Sequence, residues 1–166
     1  QIETNVVEAG WVGGHWGPDP RIRLMETFNF FSDNTDLKEQ AEKVLSRFDL
    51  GLEGFLIEKK KLENGVSLNV SAMHSRQGKN YPLALQYESS GTMQLFVLLK
   101  SIEQALKTGG VAVLDEFDVN LHPEMVMALF DLFVQPETNP KNAQLIMSTH
   151  SHMILSKLDK YQIVLV

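Results

Sequence analysis

The chain has 166 residues, 43% of them apolar and 22% charged, with a formal net charge of −6 and no cysteine. This is enough chain for a real core and an ordinary composition for a globular domain. It excludes a disulfide framework and thiolate chemistry, fits a reducing cytoplasm, and argues against a broad electrostatic footprint for nucleic acid.

No run approaches the length of a membrane span and no basic-then-apolar leader opens the chain, so no membrane partner is expected. The chain starts at Gln1 and stops straight after Ile163-Val164-Leu165-Val166, and reads as a piece of a longer protein. Residues 10–18, Gly-Trp-Val-Gly-Gly-His-Trp-Gly-Pro, read as a loop. A phosphate-binding reading fails there, because no Lys-Ser/Thr follows and no apolar strand precedes. Residues 21–31 are mixed, a helical turn or an extended edge. A clear helix follows, capped by Thr35 or Asp36, with Glu39 three residues after Asp36. Leu37, Ala41, Val44, Leu45 and Phe48 form its apolar stripe, and Gly51 fits the left-handed position past its end.

Two strands, 55–61 and 66–74, flank Asn64-Gly65, a strong hairpin signal. In the second, Val66, Leu68, Val70 and Ala72 alternate with Ser67, Asn69 and Ser71, giving one buried and one wet face. Lys59-Lys60-Lys61 either touches nucleic acid or, as edge-strand lysines do, discourages sheet-to-sheet pairing. Gly78-Lys79 imitates the end of a phosphate loop, but Asn80 follows it and Met73 stands where the first glycine belongs. It reads as a turn into a third strand, 81–87. The helix at 93–107 is apolar over most of its surface, and Gly109-Gly110 ends it.

Val111-Ala112-Val113-Leu114 then runs straight into Asp115-Glu116. Four apolar residues in a row predict a strand buried on both faces, the habit of a parallel sheet. Ligands of open α/β sheets bind at the carboxyl ends of such strands. Paired carboxylates there suit one holding a hydrated Mg²⁺ and the other working on a water beside it. The competing reading is a strand followed by a solvated acidic turn. A helix at 121–134 has Pro123 in its first turn, where a missing N–H is harmless. A strand at 144–147, a short helix at 150–158 and a last strand at 162–166 complete the chain. From Gly91 on, helix and apolar strand alternate, which predicts an α/β fold: a parallel sheet with crossover helices, beside the antiparallel hairpin.

The order Glu88-Ser89-Ser90-Gly91-Thr92, apolar run-Asp115-Glu116, Leu121-His122-Pro123, Ser148-Thr149-His150 resembles the C-terminal half of an ABC-type ATPase. The likeness is to AAA-family ATP-binding proteins of the bacterial phage-resistance (abortive infection) type, relatives of the RecF and structural-maintenance-of-chromosomes (SMC) ATPases. It covers residues 81–166 and implies the P-loop NTPase fold, with 1–53 a loop and helical-lobe segment and 54–166 the C-terminal part of the ATPase domain.

The resemblance implies a role for each motif residue. Ser89, Ser90, Gly91 and Thr92 correspond to the signature loop, which grips the nucleotide of an opposite subunit. Glu88, Ser90 and Thr92 depart from the usual Leu-Ser-Gly-Gly-Gln, and a plain serine helix cap is the competing reading. Asp115 corresponds to the Mg²⁺-holding Walker B aspartate and Glu116 to the general base. Asp118 and Asn120 fall in the loop reporting across the dimer. His122 sits where many ABC proteins have an aspartate; Leu121-His122-Pro123 is instead like the RecF-type and phage-resistance ATPases. His150 corresponds to the switch histidine; as half of a metal pair with His152 it lacks further ligands. His15 and His74 read as structural.

No G-x-x-x-x-G-K-[ST] loop occurs, so the phosphate cradle is expected upstream of Gln1. The implied protein is a cytoplasmic ATPase using ATP and Mg²⁺, closing as a head-to-tail homodimer and switching an effector nuclease in phage defence. Alternatives are a RecF-like DNA-repair ATPase that engages DNA, or a non-catalytic scaffolding lobe.

Overall fold

A computed structural model describes residues 6–9, 20–48, 51–62, 65–118 and 121–165. In chain order the elements are β1 (Val6–Ala9), α1 (Pro20–Asp33), α2 (Thr35–Ser46), β2 (Leu52–Leu62), β3 (Gly65–Arg76), β4 (Lys79–Ala84), α3 (Ser90–Thr108), β5 (Val111–Leu114), α4 (Pro123–Val134), β6 (Gln144–Met147) and α5 (His152–Leu155). Single 3₁₀ turns occupy Leu85–Tyr87 and Lys160–Gln162. The chain forms two compact units, Pro18–Glu103 and Gln1–Gly17 with Gln104–Val166.

In the first unit an antiparallel meander, β2-β3-β4, carries the two N-terminal helices and the first part of α3. The Leu62↔Gly65 pairing closes the predicted hairpin, with Asn64 itself outside the described residues. β2 is an edge strand, as the lysine run suggested, and Lys59 Nζ reaches Asp33 Oδ1 at 2.6 Å. The core is aromatic. Phe55 and Phe96 have ring centroids 4.2 Å apart, and Phe28 and Phe31 lie 5.2 and 4.7 Å from Phe96. All four are buried, the tilted and edge contacts that aromatic quadrupoles favour.

Residues 21–31 are neither a turn nor an edge but part of a full helix, α1. Its buried stripe includes Thr27, Phe28 and Phe31 at helical spacing, and the Thr27 hydroxyl is satisfied by Arg23 O at 2.9 Å. Thr35 and Asp36 lie inside α2 rather than capping it; Asn34 is the cap residue, and its side chain bonds back to Phe30 O instead. Leu37, Ala41, Val44 and Leu45 are buried as their spacing requires. Gly51 is left-handed at φ +65°, but it stands at the bend into β2, several residues beyond the helix end. β4 stops at Ala84, so 85–87 form a 3₁₀ turn rather than more strand.

The second unit holds a parallel sheet in the order β1-β5-β6. The β5-α4-β6 segment is the predicted strand–helix–strand crossover. Gly109, at φ +71°, ends α3; a Cβ there would stand 2.9 Å from Lys141 O, which only glycine avoids. β5 is less buried than expected. Ala112 and Leu114 are buried, whereas Val111 and Val113 are half-buried. Val113 pairs in register with Ile146, which is 58% exposed, so that face of the sheet is thinly covered by the described residues. Residues 162–165 form no strand: Ile163 and its neighbours pair with no other strand among the described residues, and Val164 and Leu165 are exposed. Apolar content alone does not make a strand without a neighbour to bond.

Candidate active site

β5 and β6 run parallel with Leu114 opposite Met147, so they end side by side. The residues after them therefore meet. Asp115 and Glu116 follow β5, and Ser148, Thr149 and His150 follow β6. Ser148 extends the ladder by one bond, its N–H donating to Leu114 O at 3.0 Å. Its hydroxyl donates to Asp115 Oδ1 and accepts the Glu116 backbone N–H at 2.7 Å. Glu116 has φ +44°, the left-handed region that non-glycine residues seldom occupy and that clusters at functional sites. Phe117 is fully buried immediately after it and pins the turn.

A second link lies one step further on. Thr149 Oγ1 donates to Asp118 Oδ2 at 2.9 Å, and the His150 backbone N–H donates to the same oxygen at 3.2 Å. Thr149 Oγ1 also accepts the Ser151 N–H at 3.0 Å. Asp118 thus holds the segment carrying His150, whose side chain is exposed. The other Asp118 oxygen is buried without a partner among the described residues. Asn120 lies outside them. Pro123 is the first residue of α4, as predicted, and His122 is its cap, with Nδ1 3.4 Å from the Glu124 N–H.

Asp115, Glu116, Asp118 and His150 are thereby collected at one sheet end. Ser89, Ser90, Gly91 and Thr92 belong to the other unit, at the start of α3. There Ser89 is a helix cap: its Oγ accepts the Thr92 N–H at 3.0 Å and lies 2.8 Å from Thr92 Oγ1. Thr92 is buried.

Among the described residues no three His, Asp or Glu side chains converge to cage a metal. Asp115 offers one carboxylate, with one oxygen engaged by Ser148. That donor set fits Mg²⁺, which keeps most of its waters and takes one or two carboxylates plus phosphate oxygens. Ser148 and Thr149 were not expected to organise the site. The available signal was the shared end of two predicted parallel strands.

Residues 14–156 match the family profile described as "AAA domain, putative AbiEii toxin, Type IV TA system". The chain belongs to this family. A relative in Vibrio cholerae serotype O1 biovar El Tor, described as "Retron Vc95 probable ATPase", is 29% identical over 102 residues, 61% of this chain. The chain spans only 18% of that relative's length.

Two solved structures share the fold. One, described as "Structural biochemistry of ATP-driven dimerization and DNA stimulated activation of SMC ATPases", aligns with TM-score 0.50 at 17% identity over 85% of this chain and 79% of that one. The other, a SmcHead bound to the C-winged helix domain of ScpA, aligns with TM-score 0.52 at 12% identity over 83% and 45%. The family is thus an AAA family, and the fold, shared with these two SMC structures, is that of the P-loop NTPases. No helix among the described residues is long and apolar enough to cross a membrane.

Proposed function

We propose that this chain is the C-terminal half of an ABC-type ATPase domain that hydrolyses ATP at a head-to-tail homodimer interface. The observation that carries the reading is the meeting of Asp115, Glu116 and the His150 segment at the adjoining ends of β5 and β6. Asp115 is the residue that holds Mg²⁺, which when bound neutralises charge on the phosphates. Glu116 accepts the proton of the attacking water, and its left-handed backbone sets the carboxylate beyond the strand end. His150, exposed on a segment fixed by Asp118, contacts the terminal phosphate. Ser89, Ser90, Gly91 and Thr92, with Asp118, serve nucleotide bound by the opposite copy.

The SMC structure is described in terms of ATP-driven dimerization, and we carry that over to this protein. The switching of an effector nuclease in phage defence is carried over from the family resemblance. Because the phosphate-binding loop is absent from the sequence, this chain alone does not turn over ATP. The test is hydrolysis by the full-length protein beside its Asp115→Asn variant. The parent should require a divalent cation, and Asp115→Asn should weaken Mg²⁺-dependent nucleotide binding by about tenfold or more, the scale for a disturbed metal contact. Equal Mg²⁺ dependence in the two proteins contradicts the assignment.

A further inference from the structure

We infer that Ser148 is a positioning residue for the ATPase site, fixing the Asp115 carboxylate and the left-handed Glu116 backbone through one hydroxyl. This rests on the assignment of Asp115 and Glu116 above. Ser148 is exposed, so its side chain contributes little packing. Its Oγ has two polar partners, both on the dipeptide after the neighbouring strand: it donates to Asp115 Oδ1 and accepts from the Glu116 N–H at 2.7 Å. A hydroxyl has one proton and two lone pairs. Giving the proton to the carboxylate turns a lone pair towards the N–H, so the two bonds support one another.

Each bond constrains something the chemistry needs. Asp115 Oδ1 is engaged by a neutral donor, which sets the carboxylate plane and leaves Oδ2 for a hydrated cation. The Glu116 N–H is given an acceptor while its backbone sits at φ +44°. Without that acceptor the residue can relax toward the broadly allowed region and carry its carboxylate away. Ser148 itself cannot drift. Its own N–H is bonded to Leu114 O, and the next residue is tied to Asp118.

The test uses the full-length protein with Ser148→Thr, Ser148→Val and Ser148→Ala. Threonine and valine have nearly the same shape and differ in the hydroxyl, and the exposed position admits either. Steady-state kcat and KM are measured together with the Mg²⁺ concentration that gives half-maximal ATP binding, a readout independent of turnover. Valine and alanine should lower kcat by about 10- to 100-fold and raise the Mg²⁺ requirement, the usual range for residues that orient a metal ligand. Threonine should restore both to the parent level, and ATP binding without Mg²⁺ should be the same in all four proteins. Valine and threonine behaving alike in both readouts overturns the inference. If Asp115→Asn impairs Mg²⁺-dependent binding while Ser148→Val does not, only the role of Ser148 fails. If neither does, the site assignment fails and the inference falls with it.

Discussion

His74 Nε2 stands 2.5 Å from Glu88 Oε1, and the Glu88 side chain is only 6% exposed. The pair ties β3 to the residue directly before the Ser89 cap of α3. A nearly buried carboxylate that loses its partner is left poorly solvated. His74→Ala should therefore destabilise this region by about 1–3 kcal/mol, the cost of stranding such a group. It should also speed amide hydrogen exchange at Thr92 and Met93, the first bonded N–H groups of α3. Unchanged exchange at both amides counts against the anchoring role. Glu88→Gln, which keeps an acceptor oxygen, should do much less.

Glu103 is 5% exposed in α3, and burial pushes its carboxyl up from 4.5 to about 7. Below pH 4.5 it is protonated folded or unfolded, and burial carries no charge penalty. Between 4.5 and about 7 the folded chain keeps a proton that the unfolded chain has released, so stability falls as pH rises. Above that range the full penalty stands, roughly 3 kcal/mol at about 1.4 kcal/mol per pH unit. Thermal unfolding from pH 5 to 8 should show Glu103→Gln gaining on the parent as pH rises, then levelling off. A difference independent of pH contradicts this.

Asn139 organises the connection from α4 to β6. Its Nδ2 donates to Phe133 O and Ala143 O, both at 2.9 Å, and its Oδ1 accepts the Ala143 N–H at 2.6 Å. It is buried, so Asn139→Ala strands backbone groups away from water and should cost about 2–4 kcal/mol. Asn139→Asp should be at least as damaging, since a carboxylate meets two carbonyl oxygens. A fall in thermal midpoint of less than a degree for both variants would count against this.

Much of the fold was legible because its signals are local. The α2 stripe, the hairpin at Asn64-Gly65, the Gly109 helix end and the apolar run before Asp115 each depend on residues a few positions apart. The missed elements depend on distant partners or mixed patterns. β1 is only four residues long, with Glu8 among its apolar Val6, Val7 and Ala9, and is a strand because Val111–Leu114 lies beside it. In α1 a threonine interrupts the apolar stripe, although its hydroxyl is satisfied within the helix. The run after Gln162 looked like a strand by content and has no partner among the described residues. At the site, Asp115 and Glu116 stood out by their chemistry at the end of an apolar run, and His150 by the family resemblance. The place of Ser148 depended on the register Leu114↔Met147, which a sequence does not state.

Glu116, in its left-handed turn after β5, is the residue we propose as the general base of the ATPase site. The most direct measurement is ATP turnover by the full-length protein and its Glu116→Gln variant, with nucleotide binding followed in parallel. Glutamine keeps the size and polarity of the side chain and removes the base. Turnover should fall by about 100-fold or more, the scale for loss of a general base, while ATP binding stays within error of the parent. Hydrolysis by Glu116→Gln at the parent rate, with ATP bound equally well, would contradict a general-base role for Glu116.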